Sequence, residues 1–185
     1  YFTDVIVSSG ISDPNAVVLA AARGLGLSRS TNNGNNFGAF TTLGFPAGQV
    51  GRISLTHHNL YPVVNQVYCI AEDAFGGGSM LFIARSQDTG KSWLYTNIPA
   101  GNGPRGDYSN CIMMNPKNPD SLLVGWQNRE SFRSIDGGQN WQLSSTIHDD
   151  YQCFAVSLTD PGLVFSGNDG GVFKSTNFGG QWLNA

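Results

Sequence analysis

One eight-residue frame occurs four times in this chain of 185 residues and restricts the folds open to it. Each frame reads Ser, any residue, Asp or Asn, any residue, Gly, two further residues, and then Trp or Phe. The frames begin at residues 30, 86, 134 and 175, so consecutive frames start 56, 48 and 41 residues apart. A repeat of about 40 to 55 residues is one supersecondary unit, and such units stack in series. The frame residues are Ser30, Asn32, Gly34 and Phe37; Ser86, Asp88, Gly90 and Trp93; Ser134, Asp136, Gly138 and Trp141; and Ser175, Asn177, Gly179 and Trp182.

Each frame has a local chemical explanation as a turn. A short carboxylate or amide oxygen accepts backbone N–H bonds, as in an Asx-turn, and Gly adopts a positive φ. The amide oxygen of Asn accepts the same bonds as Asp, and the closing aromatic ring packs over the hairpin. We therefore predict that the four frames, called box turns from here on, are structural, and that Asp88 and Asp136 are not catalytic.

Short apolar runs bounded by turn residues lie between the box turns, which is typical of strands in an all-β fold. In the first unit four such runs are Asp4–Ser8, Ala16–Ala22, Leu25–Ser30 and Asn36–Thr42. Four strands in each of four units predict a β-propeller of four-stranded antiparallel blades. The predicted blades are approximately 1–48, 49–106, 107–149 and 150–185. Because the chain starts on an innermost strand, we expect part of a larger ring, with further blades or another chain over its open edges; the alternative is a compact four-bladed unit.

Composition excludes several classes of protein. Charged residues make up 12% of the chain and the net charge is −3, with no cluster of Lys and Arg for binding nucleic acid. No apolar stretch approaches the roughly 18 residues of a membrane span. Three widely spaced cysteines, Cys69, Cys111 and Cys153, support neither a disulfide framework nor a zinc site, and we expect them to be buried. The low charge and the polar turns favour an extracellular or cell-surface location.

The box turns resemble the Asp-box, or BNR, repeats of β-propellers such as sialidases, xyloglucanase-type glycoside hydrolases and sortilin-like receptors. Asp136-Gly137-Gly138 and the run Gly167–Ser175 add to the resemblance, which covers nearly the whole chain. It implies a propeller fold and a ligand site near the axis, on the face opposite the box turns. It does not choose among enzymes, receptors and assembly factors, because one fold supports many functions.

The loops that join one blade to the next lie on that opposite face, since antiparallel strands alternate in direction. Most of the chain's few charges, including Arg23 and Glu72, are predicted there, and 148–151 is the densest group. Aromatic rings on this face could stack on sugars while charged groups bond to hydroxyls. The predicted ligand-binding residues are Arg52, Arg105, Tyr108, Trp126, His148, Asp149 and Tyr151.

Catalysis is the alternative for the same face. Asp107, Asp150 and Asp169 are the candidate catalytic residues, because glycoside hydrolysis needs two carboxyl groups about 5 to 10 Å apart. The run 168–171 resembles an Asp-x-Gly-Gly segment of xyloglucanase-type enzymes that carries a catalytic Asp. No metal or cofactor is predicted, although carboxylates of this kind are ligands that Ca²⁺ prefers. We predict a non-catalytic extracellular propeller that binds glycan or protein, or builds an assembly; the alternative is an Asp-box glycoside hydrolase acting on a polysaccharide.

Overall fold

The computed structural model describes residues 1–8, 16–57, 65–101, 106–127 and 129–185, and the regular structure of these ranges is β-strand. Within them no helix is long and apolar enough to cross a membrane. The strands are β1 (Phe2–Ser8), β2 (Val17–Ala22), β3 (Gly26–Ser30), β4 (Val50–His57), β5 (Val67–Asp73), β6 (Met80–Ser86), β7 (Leu94–Tyr95), β8 (Cys111–Asn115), β9 (Asn118–Gly125), β10 (Ser131–Ser134), β11 (Gln142–Leu143), β12 (Tyr151–Val156), β13 (Val164–Asn168), β14 (Gly171–Ser175) and β15 (Leu183–Asn184).

Four antiparallel sheets follow one another along the chain, and in each of them the strands pair in sequence order. Blade 1 contains β1 to β3, blade 2 contains β4 to β7, blade 3 contains β8 to β11, and blade 4 contains β12 to β15. A series of such meanders is the architecture of a β-propeller. The predicted all-β fold built of antiparallel blades is therefore confirmed.

Blade 1 differs from the prediction at its fourth strand. The expected strand Asn36–Thr42 is reduced to a single bridge between Leu27 and Thr41. Leu43 has a positive φ of 57°, so the chain turns away from the sheet immediately after this bridge. Gly26 makes the bridge possible, because a Cβ at this position would lie 2.0 Å from the Thr41 carbonyl oxygen.

The hydrophobic core consists of three clusters, and each lies between two successive blades. Strand residues alternate between the two faces of a sheet, so each blade contributes one set of apolar side chains to each neighbour. Leu19 of blade 1 and Ile53 of blade 2 belong to the first cluster, Ile70 and Ile112 to the second, and Leu123 with residues of blade 4 to the third. The stability of the four-blade structure therefore depends on packing between blades.

The four blades form an open arc. The innermost strands pack in the order β1, β4, β8 and β12, and the described parts of β12 and β1 do not complete a ring by packing together. The face of blade 1 that points away from blade 2 leaves Val5 61% exposed. The face of blade 4 that points away from blade 3, called its outer face, leaves Phe165 38% and Val172 57% exposed. The two ends of the arc thus present apolar sheet surface to solvent.

Side chains join the innermost strands of neighbouring blades. The Leu55 N–H donates to Asp4 Oδ2 at 2.7 Å, and the Ile53 N–H donates to Thr3 Oγ1 at 3.3 Å. Between blades 2 and 3, the Met114 N–H donates to Thr56 Oγ1 at 3.1 Å. These bonds satisfy inner-edge amide groups that would otherwise lack a partner in the sheet.

The cysteine prediction was correct at Cys69 and Cys111, which are buried, and wrong at Cys153, which is exposed. A register irregularity in β12 between Tyr151 and Cys153 is the physical reason. A bulge changes which face of the sheet the following residues occupy. Cys153 consequently lies on the outer face of blade 4.

Candidate functional site

The box turns are built as the sequence predicts. In the third, the Ser134 hydroxyl donates to Asp136 Oδ1 at 2.8 Å and accepts from the Gly138 N–H at 2.9 Å. Asp136 Oδ1 also accepts from the Asn140 N–H at 2.9 Å. In the fourth, the Asn177 amide oxygen takes the place of the carboxylate and accepts from the serine hydroxyl at the same 2.9 Å as in the first. The acceptors of these turns are engaged within the turn itself.

The hydrogen bonds also perturb the two box carboxyl groups. Donation from the Asn140 side chain and backbone and from Ser134 lowers the pKa of Asp136 to about 2. Partial burial acts in the opposite direction at Asp88, but bonds from Ser92, Ser86 and the Lys91 amide outweigh it and lower the pKa to about 2. Carboxylates held ionised in this way are poor proton donors, so they suit a structural role.

A polar groove of about 310 Å³ lies at the centre of the arc and opens beside the loops between blades. All four innermost strands or the residues directly before them contribute to its walls. We call it the axial groove. Its polar lining residues are Thr3, Asp4, Arg52, Ser54, Asn110 and Gln152.

Asp4 is the carboxylate of the axial groove, and the sequence did not single it out. Burial raises the pKa of Asp4, while bonds from the Leu55 and Val5 amides and the nearby charge of Arg52 lower it; the net direction is upward. The bond to Leu55 measures 2.7 Å and the bond to Val5 measures 2.8 Å. Because Asp4 lies in an apolar strand, only the blade arrangement reveals that it faces a charged partner.

Gln152 offers a hydrogen-bond donor in the groove. Among the described residues, its Nε2 atom is buried and has no hydrogen-bond partner. A buried donor without a partner is costly unless a ligand or water supplies an acceptor. The Gln152 amide nitrogen is therefore available to donate a hydrogen bond to an acceptor on a ligand or a water molecule.

Arg52 and Tyr108, both predicted to bind ligand, are brought together at the rim of this groove. Arg52 Nη1 donates to the Tyr108 carbonyl oxygen at 2.7 Å. The Tyr108 hydroxyl lies 3.4 Å from both carboxylate oxygens of Asp169. The loop before blade 3 is thereby connected to blade 2 on one side and to blade 4 on the other.

The 148–151 segment forms a second group at the rim. Asp149 Oδ1 makes an ion pair with Arg129 Nε at 3.3 Å, and Asp150 accepts from the Ser109 hydroxyl at 3.2 Å. His148 packs against Gly170, where an added Cβ would lie 2.5 Å from the imidazole. Three of the predicted residues thus hold loops of blades 3 and 4 together.

Trp126 and Tyr151 do not form a surface on which a ligand could stack. Both side chains are fully buried in the core between blades, Trp126 in the second cluster and Tyr151 in the third. Burial raises the pKa of the Tyr151 phenol. Since neither ring reaches the surface, stacking on a sugar is left to Tyr108, which is 44% exposed.

Asp107 and Arg105 are the two other predicted residues before blade 3. Asp107 is exposed on the loop before blade 3, and Arg105 lies outside the described residues. Within the described part of the chain, no group of three or more His, Cys, Asp or Glu side chains is arranged to hold a metal ion.

A further ion pair near the axis joins blades 1 and 2. Arg23 donates to both carboxylate oxygens of Glu72, at 2.8 and 3.0 Å, and the Arg52 N–H donates to Glu72 Oε2 at 2.7 Å. A Cβ at Gly51 would lie 2.2 Å from the same oxygen. The sequence placed Arg23 and Glu72 on this face but gave no sign of their pairing.

Solved β-propeller structures share this arrangement. A crystal structure of an ancestral GH74 enzyme is similar at a TM-score of 0.67 and 20% identity, over 100% of this chain and 24% of its own length. The GH74 xyloglucanase from Xanthomonas campestris is similar at 0.66 and 18%, over 98% and 30%. A structure of YCF48 bound to D1 peptide is similar at 0.66 and 15%, over 98% and 52%. At these identities the similarity shows the fold alone, and the chain spans a quarter to a half of each protein's length.

No protein-family model matches the chain, and the comparison with curated proteins found no match either.

Proposed function

We propose that this chain is part of a non-catalytic binding propeller whose axial groove holds an extended segment of a partner protein. The observation that carries the proposal is the donor and acceptor lining of the groove, with a buried Gln152 amide nitrogen that has no partner among the described residues. The Gln152 amide can donate to a carbonyl oxygen of a peptide backbone, and the Arg52 guanidinium adds further N–H donors at the groove. That YCF48 was solved with a peptide supports the choice of ligand.

The aromatic residues favour a peptide over a glycan. Sugar binding of the kind predicted from sequence uses exposed rings as platforms, and two of the three predicted rings, Trp126 and Tyr151, are in the core. The polar side chains of the groove, in contrast, remain at its walls. A glycan would therefore meet one aromatic surface, while a peptide would meet a polar groove with walls from all four blades, including the Gln152 amide nitrogen that has no partner among the described residues.

The proposal includes the type of repeat and the location. The four box turns are taken as Asp-boxes in the BNR sense, on the strength of their shared Ser–Asp/Asn–Gly hydrogen-bond geometry. An extracellular or cell-surface location is proposed from the 12% content of charged residues and the polar turns. Surface biotinylation of the native source, followed by detection of this chain, tests the location; labelling only after lysis contradicts it.

The experiment on function measures binding of a random-sequence peptide library to the immobilised chain. Enriched peptides should bind the parent protein, while Gln152→Leu should weaken binding at least about fivefold, roughly 1 kcal/mol. Ser79→Ala, in the hairpin of blade 2 outside the groove, is the matched control and should bind as the parent does. A library without enrichment, together with retention on a glycan array, would refute the peptide ligand.

Glycoside hydrolysis is the competing function, and the rim position of Asp150 and Asp169 is the observation in its favour. These carboxylates bond to Ser109 and Tyr108 respectively. Incubation with xyloglucan and analysis of reducing ends distinguishes the two functions. Release of oligosaccharides that is abolished in Asp169→Asn would replace the binding proposal with an enzymatic one.

A further inference from the structure

A cation directly precedes every box turn, and each pairs across the sheet with a large side chain. Lysine takes the position in blade 4, and arginine takes it in the other three. The pairs are Leu19 with Arg29, Tyr68 with Arg85, Leu123 with Arg133, and Phe165 with Lys174. We call each of them a clamp pair.

The first three cations reach the box turn of the next blade. Arg29 Nε donates to the Thr89 carbonyl oxygen at 2.9 Å, and Arg133 Nη1 donates to the Asn177 carbonyl oxygen at 3.1 Å. Arg85 lies against Gly137, where a Cβ would be 3.1 Å from Nη1. Arg29 and Arg133 therefore bond one blade to the box turn of the next, and Arg85 contacts the equivalent turn.

The large member of the clamp pair contacts the same turn. A Cβ added to Gly90 would lie 2.6 Å from Leu19, and one added to Gly179 would lie 2.3 Å from Leu123. The glycine of the box turn thus fits closely over the neighbouring side chain. Cation and apolar side chain together form one recurring contact between consecutive blades.

Blade 4 carries the same clamp pair on a face that no described residue covers. Lys174 is exposed, and Phe165 beside it is 38% exposed. Cys153, Val172 and Leu183 lie around them and are exposed as well. We call this surface the clamp face.

Blade 1 presents the opposite half of the contact. Its box aromatic, Phe37, is 44% exposed, whereas the equivalent Trp182 is 6% exposed because it packs onto blade 3. Phe37 borders an apolar groove of about 480 Å³ with Phe2, Val5 and Ala20. We call this surface the turn face, since the box turn at 32–34 adjoins it.

We propose that a second copy of this chain docks its turn face onto the clamp face of blade 4. The chain makes the same kind of contact three times between its own consecutive blades. The turn face and the clamp face therefore match each other in apolar surface and in the position of the cation beside the box turn. The contact is heterologous, and two such contacts related by a twofold axis close two arcs into one ring. This inference is independent of the ligand proposed for the axial groove.

The first test is the mass of the 185-residue chain in solution, measured by light scattering after size-exclusion chromatography between about 1 and 100 µM. We expect twice the 19.8 kDa of one chain. Lys174→Glu places a carboxylate against the turn carbonyls and should increase the dissociation constant at least about tenfold. Lys91→Glu makes the same charge change on the box turn of blade 2 and should leave the mass unchanged.

The second test establishes which faces meet. Phe37→Asp should also give monomers, and a mixture of Phe37→Asp with Lys174→Glu should recover dimers, because one of the two contacts is then intact. Circular dichroism of each variant verifies folding. In the parent, dimerisation should protect the exposed Cys153 thiol from maleimide at least about tenfold. A monomeric parent at 100 µM, or dimers insensitive to Phe37→Asp, would overturn the proposal.

Discussion

Arg85 of blade 2 and Asp120 of blade 3 form an ion pair of 3.0 Å across the boundary between their sheets. Arg85 also donates to Gln66 at 3.0 Å and stacks over the Tyr68 ring at 5.8 Å. The guanidinium is therefore bound by charge, hydrogen bonding and an aromatic face at once. Its position directly before a box turn connects the local turn chemistry to the packing of blades.

Substitution of this pair should reveal coupling between blades. Because Asp120 remains partly exposed, solvent screens the attraction, and a double-mutant cycle of Arg85→Ala and Asp120→Ala should give about 0.2 to 1 kcal/mol. Urea denaturation of the parent, both single variants and the double variant measures it. Strictly additive changes in the free energy of unfolding would show that the ion pair does not couple the blades.

Ser134→Ala should destabilise the protein through the third box turn. The Ser134 hydroxyl is the acceptor for the buried Gly138 N–H, at 2.9 Å, and alanine leaves that donor without a partner. A loss of about 1 to 3 kcal/mol in the free energy of unfolding is expected. Ser79→Ala, which removes a 3.3 Å exposed bond, serves as the control and should change stability by less than about 0.5 kcal/mol.

Acid should weaken the fold through Asp88 and Asp136. In the folded chain the pKa of each carboxyl is about 2, against an ordinary value of 3.8. The unfolded chain thus binds more protons between these values, so the stabilisation is complete above about pH 5 and declines as the pH falls toward 2. Chemical denaturation at several pH values measures the slope. The double variant with Asn at both positions should show a shallower slope; an unchanged slope would assign the acid sensitivity to other groups.

Gly179→Ala should cost more than Gly24→Ala. Both glycines have a positive φ, 73° and 79°, so both substitutions carry backbone strain. At Gly179 the new Cβ would also lie 2.3 Å from the buried Leu123 side chain, whereas at Gly24 it meets nothing within 4 Å. Thermal denaturation should place Gly179→Ala about 1 to 3 kcal/mol below Gly24→Ala in stability. Equal losses would mean that Leu123 moves aside without cost.

Glu72→Gln should test the tie between blades 1 and 2. The Glu72 side chain is almost fully buried, and its carboxylate bonds to Arg23 and to the Arg52 amide. The uncharged amide weakens the bonds to Arg23 and places a donor where both oxygens now accept, so we expect a loss of roughly 2 to 4 kcal/mol. Arg23→Gln should lose at least as much, because it leaves the buried Glu72 carboxylate without its cation. Denaturation curves of the two variants provide the comparison.

The box turns were predictable because their cause is local. Ser134, Asp136 and Gly138 fall within five consecutive residues, and the bonds among them require no distant partner. The same locality explains why three blades have the expected four strands. Blade 1 differs because the strand expected at 36–42 is reduced to the bridge between Leu27 and Thr41, and how far a strand pairs depends on its partner strand as well as on its own residues.

The candidate site was less predictable, since it depends on which way side chains face after the blades are assembled. Tyr151 was expected at a ligand site and is buried, while Cys153 was expected to be buried and is exposed; one register irregularity in β12 accounts for both. Asp4 and Gln152 reach the axial groove only because β1 and β12 curve around the same space. Pairings between blades, such as Arg23 with Glu72 across 49 residues of chain, leave no local pattern to read.

The bonds from Thr3, Asp4 and Thr56 to the inner-strand amides restrict how a partner can be recognised at the axis. An unpaired strand edge is a template for adding a further strand, whether from a ligand or from an aggregating neighbour. Here the amides of Ile53, Leu55 and Met114 are already occupied by side chains of the adjacent blade. The peptide proposed for the groove would then be bound by side chains such as Gln152, and not as an additional strand along the inner edge of a blade.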